Sequence, residues 1–101
     1  MAHNNLGTAL VKQGKLQEAA NHFQEAVRLN PNYSPAHLWL GLVRIMQGES
    51  DSAISHLAAA LWLDPANAEL TMERLRLVAA PRGRFEEIVE RLRKTFSAAL
   101  K

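Results

Sequence analysis

AHNNLGTALVKQG, residues 2–14, and AHLWLGLVRIMQG, residues 36–48, open, turn and close alike. A shift of 34 residues pairs Ala2 with Ala36, His3 with His37, Leu6 with Leu40, Gly7 with Gly41 and Gly14 with Gly48. The same shift carries on downstream, pairing Ala19 with Ala53, His22 with His56, Ala26 with Ala60, Leu29 with Leu63 and Pro31 with Pro65. Self-similarity at one fixed period marks a stack of like supersecondary units, each covering an apolar face that its neighbour cannot bury alone.

Composition agrees with a helical stack. Among 101 residues 48% are hydrophobic but only 6% aromatic, which suits a core of Ala and Leu rather than a β-sheet. There is no cysteine, so disulfides, thiolate metal sites and cysteine nucleophiles are excluded together. The longest apolar run, Leu38 to Val43, is too short to span a bilayer, and no secretory signal opens the chain. The first unit begins so close to Met1 that the sequence reads as cut from a longer protein. The compartment stays open, with the cytoplasm favoured.

Turn chemistry divides each unit into two helices. Gly14 gives the first pair, over 2–13 and 16–29, a permissive turn, and Asn30-Pro31 stops the second helix. In the second unit Ser34 is expected as N-cap before Pro35, with a helix to Gln47, a break at Gly48 and a partner over 51–63. A third, degenerate pair follows: Asn67 caps a helix over 68–80, Pro81-Arg82-Gly83 turns, and Phe85, Ile88, Val89, Leu92, Phe96 and Leu100 recur at helical spacing. Glu87 with Arg91 and Glu90 with Lys94 stand four apart in the favourable order, so 84–100 is expected to cap the stack with a polar back.

The 34-residue helix-turn-helix unit resembles the tetratricopeptide repeat. Leu6, Gly7, Leu10, Gly14, Ala19, Phe23, Ala26 and Pro31 occupy that family's pattern positions, as do Leu40, Gly41, Arg44, Gly48, Ala53, Leu57, Ala60 and Pro65. Gly7 and Gly41, opposite Ala19 and Ala53, would allow close helix approach. His3 and His37 stand where the family often has Trp, Arg44 replaces an aromatic, and Arg74-Leu75 replaces the Leu-Gly pair of the third unit. With Gly83 as turn glycine, Pro81 fits as a one-residue insertion. The resemblance implies an all-α fold of about six helices, antiparallel pairs stacked into a right-handed superhelical solenoid. Its units are 1–33, 34–67 and the capping pair 68–101, in one structural domain.

Catalytic and metal readings fare poorly. His3 and His37, like His22 and His56, are one repeat apart, and helices ~10 Å apart cannot bring them to one ion with bonds of ~2 Å. Packing is expected at 3 and 37, and solvation at 22 and 56. Ser50, Ser52 and Ser55 near Asp51 and His56 belong to a turn and helix start, where hydroxyls serve the backbone. No glycine-rich phosphate cradle, cofactor or enzyme activity is expected. Residues 1–67 hold four Lys/Arg against five Asp/Glu and 68–101 eight against five. That bias fits solvated helix faces, so nucleic acid is disfavoured as a partner; helical-repeat RNA binding also prefers polar bases-reading grooves.

The stretch Leu38–Met46 is apolar nearly all round, as a helix buried on more than one side is. The resemblance implies that Leu38, Trp39, Leu42, Ile45 and Met46 project into a concave groove that holds peptides and helices. Asn4 and Thr8 from the first unit and Met72, Glu73 and Arg76 from the third complete it, with Asn5 and Lys12 at the rim. The alternative is that neighbouring helices cover the apolar row. The family's chaperone-tail clamp would place Lys, Asn and Arg where Asn4, Thr8, Trp39, Glu69 and Glu73 stand here, so an acidic tail is excluded. The expected role is protein-protein interaction through an apolar or amphipathic segment, with homodimeric scaffolding as the alternative.

Overall fold

Three glycines with left-handed backbone, Gly14, Gly48 and Gly83 at φ 78°, 81° and 69°, divide the chain into helix pairs. Each turn repeats one hydrogen-bond pattern. Lys15 N donates to Leu10 O at 2.9 Å, Glu49 N to Arg44 O at 2.8 Å and Arg84 N to Ala79 O at 3.0 Å. The glycine N–H beside each bonds three residues back, which completes a Schellman motif and satisfies the orphan carbonyls.

The computed structural model describes residues 2–99, with side-chain surroundings over 5–97. Its helices are α1 (Ala2–Lys12), α2 (Leu16–Leu29), α3 (Ser34–Met46), α4 (Ser50–Leu63), α5 (Ala68–Ala79) and α6 (Phe85–Ala99). Short 3-10 turns cover Pro65–Asn67 and Ala80–Arg82, and there is no strand among the described residues. All six expected helices are present. Ser34 is not the N-cap: α3 begins at Ser34 with Tyr33 before it, and no side chain caps. Asn67 stands at the cap of α5, but its amide donates to Asp64 Oδ2 at 2.7 Å instead.

Glycine spacing sets how tightly the first two pairs close. A methyl added at Gly41 would lie 2.8 Å from Leu57 Cγ, and one at Gly7 2.6 Å from Phe23 Cε1. The closest neighbours are therefore Leu57 and Phe23 rather than Ala53 and Ala19. Leu10, Ala19, Ala20, Phe23, Leu40 and Val43 form one buried cluster, joining the first pair to α3. Leu38, Leu42, Ile45, Leu57, Leu75, Ile88 and Leu92 belong to a second, which joins α3 and α4 to the last pair. Trp39 and Met46 pack against both.

The third pair departs from the other two. Leu75 stands where glycine would and is fully buried, so α5 and α6 cannot close as the earlier pairs do. α5 packs more extensively on α3, and α6 on α4, than the two do on each other. Among the described residues neither expected pair, Glu87–Arg91 or Glu90–Lys94, closes to a salt bridge, although Lys94, after the Arg93 hydrogen bond, helps to lower the Glu90 pKa. Arg91 bonds Asp51 of α4 at 2.5 Å, Arg84 donates to Ser50 Oγ at 2.8 Å, and Glu90 pairs with Arg93. Residues 85–99 thus cover α4, while the polar contacts fasten their start.

Candidate partner-binding surface

Trp39 anchors the surface. Its ring stacks on Phe23 of α2 with centroids 6.1 Å apart and planes 12° apart. The Arg74 guanidinium lies 5.5 Å from its centroid, a cation over an aromatic face. Around it is a notch of about 140 Å³, bounded by Ser34, Pro35 and Leu38 on the α3 side and Asp64, Asn67, Leu70 and Thr71 on the other. Apolar walls carrying a few polar groups are the usual make-up of a binding cleft.

Of the residues expected there, Leu38 and Trp39 line the notch. Leu42 and Ile45, each 1% exposed, do not: they belong to the buried cluster shared with the neighbouring helices, which claim that part of the row. Met46 and Met72 are half-buried against the core. Thr8 is half-buried on α1, Glu73 is exposed, and the Asn4 side chain lies outside the described residues. Arg76 faces another way, its guanidinium 4.6 Å from the Phe85 ring in a separate cleft of about 430 Å³. The third unit explains these differences. Reading α5 in the family register puts Met72 and Arg76 in the groove, whereas α5 turns Leu70, Thr71 and Arg74 toward Trp39. The signal was the Arg74-Leu75 pair standing in place of Leu-Gly.

Two further sites took no part in that expectation. Trp62, 64% exposed, stacks on Phe96 at 6.4 Å beside Ala58 and Ala59 and shares no residue with the notch. His37 and His56 are 5.8 Å apart between α3 and α4, a pairing within one unit that comparison across units overlooks. His37 Nε2 lies 2.8 Å from Pro31 O, and its Nδ1 is buried without a partner. His56 is half-buried rather than solvated, and burial, then His37, then Arg44 hold its pKa below the ordinary value. A guanidinium near enough to His56 to lower its pKa disfavours a metal ion there, and the described residues contain no group of three or more metal-ligating side chains.

No helix among the described residues is long and apolar enough to cross a membrane. A family model described as tetratricopeptide repeat matches residues 4–74. The probable biofilm formation methyltransferase WspC of Pseudomonas putida is 30% identical over 71 residues, 70% of this chain and 17% of that protein. The peroxisomal targeting signal receptor of Saccharomyces cerevisiae is 42% identical over 65 residues, 63% of this chain and 11% of that protein. The TPR repeat-containing thioredoxin TTL4 of Arabidopsis thaliana is 39% identical over 54 residues, 54% of this chain and 8% of that protein. The chain thus spans less than a fifth of the length of each of these relatives, and methyltransferase, receptor and thioredoxin name those whole proteins. With its two glycine-closed helix pairs and the match over 4–74, the chain belongs to the tetratricopeptide repeat family, whose domains mediate protein-protein interaction.

Proposed function

We propose that the chain holds an apolar or amphipathic protein segment at Trp39, on the surface between α3 and α5. The observation that carries this reading is the notch itself, where Trp39, Leu38 and the 44% exposed Leu70 meet beside the Arg74 guanidinium. A large aromatic inside a partly dry recess is the residue type that concentrates binding energy at interfaces. Ser34, Asp64 and Asn67 at the edge supply polar groups that orient a ligand. Leu42 and Ile45 act beneath it as support.

Selection of displayed random peptides on the wild-type chain, with counter-screening on Leu70→Ser and Arg74→Glu, tests this. Both positions leave the core clusters intact, so folding and binding separate. Peptides sharing an apolar anchor and losing affinity for both variants are the expected outcome. Peptides that bind the variants as well as the wild type place the partner surface elsewhere.

Self-association is the second reading, favoured by Leu70 and Leu77, which are 44% and 70% exposed on α5. A second copy would remove that apolar area from water. Sedimentation at tens of micromolar that yields only an 11.2 kDa species rules it out.

A further inference from the structure

We infer that the partner segment is an α-helix whose apolar seam is bordered by lysine or arginine, an inference that rests on the Trp39 surface being the binding site. Leu70, Glu73, Arg74 and Leu77 stand at i, i+3, i+4 and i+7 of α5 and share one face of that helix. Leu77 carries the apolar row two turns past Leu70, roughly 10 Å along the axis. That length suits a helix laid alongside. An extended peptide finds no sheet edge to join, because the described residues contain no strand.

Charge decides the border of the seam. Glu69 and Glu73 stand one turn apart on the side of the leucine row away from Trp39, both exposed. Neither makes an ion pair among the described residues. The cations of α5 that could neutralise them are engaged elsewhere, Arg74 over the Trp39 ring and Arg76 over the Phe85 ring. Like charges four residues apart repel along a helix. An incoming ammonium or guanidinium relieves that repulsion, whereas a carboxylate adds to it, so complementarity selects a basic-flanked helix over an acidic one.

The test uses three synthetic helical peptides with the same leucine seam and flanks of Lys, Gln or Glu, titrated against the full chain by fluorescence anisotropy. The Lys peptide is expected to bind about tenfold more tightly than the Glu peptide, with the preference shrinking as salt rises. Glu69→Lys/Glu73→Lys, at exposed positions that leave circular dichroism unchanged, reverses the order; Leu70→Ser/Leu77→Ser weakens all three. Equal affinity for all three peptides, lost in the leucine variant, overturns the charge assignment and leaves the Trp39 surface standing. Lys-peptide binding that ignores the leucine variant overturns the helix seam and the Trp39 reading together.

Discussion

Arg74 and Trp39, from the third and second helix pairs, meet with guanidinium and indole 5.5 Å apart, so the last pair sets how much of the aromatic anchor is open. Phe23 holds the ring from the first pair. One side chain therefore reads the relative position of all three pairs.

Arg74→Ala should uncover Trp39 without unfolding the chain. An exposed cation–π contact contributes ~0.5 to 1 kcal/mol, a small loss here. In a Trp62→Phe background, where Trp39 is the sole indole, acrylamide quenching should rise while the helical signal persists. Unchanged quenching would mean that the guanidinium does not screen the ring in solution.

Gly41 should reject any side chain. A methyl 2.8 Å from Leu57 Cγ and 3.3 Å from Ala53 O forces movement of a packed pair, and overpacking of this kind typically costs ~1 to 3 kcal/mol. For a domain of this size each kcal/mol is roughly 4 to 8 °C in Tm. Gly41→Ala should lower Tm by several degrees and Gly41→Leu by more, read by thermal circular dichroism.

Acid should weaken the second pair through His56. Its folded pKa lies below the ordinary 6.5, so the unfolded chain takes up the proton first as pH falls. Stability is full above about pH 6.5 and declines from there down to the folded pKa. Protonation there places charge beside His37 and Arg44 of α3, the groups already named as lowering it. Urea midpoints at pH 7.5 and 5.0 should show the loss, and His56→Gln should reduce the difference between them.

The last helix should be held by apolar burial more than by its ion pairs. Ile88 is fully buried against the second cluster, and Ile→Ala in such a site costs ~2 to 5 kcal/mol. Arg91 and Asp51 bond at the surface, where a pair contributes ~0 to 1 kcal/mol. Urea melts should therefore rank Ile88→Ala well below Arg91→Ala. Removing 84–101 takes Ile88 and Leu92 out of the second buried cluster and should leave an aggregating remainder, checked by light scattering.

Helix positions were legible in the sequence because their causes are local. Gly14, Gly48 and Gly83 fix the turns between paired helices, and Asn30-Pro31 and Asp64-Pro65 end the second helices. The site was legible only in part, because exposure on α3 depends on how a distant helix rests against it. Leu38, only 9% exposed, and Trp39 still line the notch, while Leu42 and Ile45, chemically like Leu38, lie wholly inside the cluster shared with α4 and the last pair. That orientation follows from Leu75 filling the place of a glycine, a substitution visible in the sequence whose effect on α3 depends on long-range packing. The His37–His56 contact leaves no trace in the repeat, because the period relates histidines 34 residues apart whereas the contact joins two that are 19 apart.

The middle helix pair is flanked on both sides, and its residues join both buried clusters, whereas the outer pairs each have one neighbour in the stack. Opening in such a chain is graded rather than all-or-none along its length, with the outer elements sampling solvent at lower free energy. Amide protons of Leu40 to Ile45 should be the last to exchange with deuterium, and those of α1 and α6 among the first. The surface at Trp39 lies on the border between those regimes, with a slow-exchanging floor from α3 and a faster wall from α5. A ligand that spans both raises protection in the wall most, so exchange kinetics locate its footprint even before its identity is known.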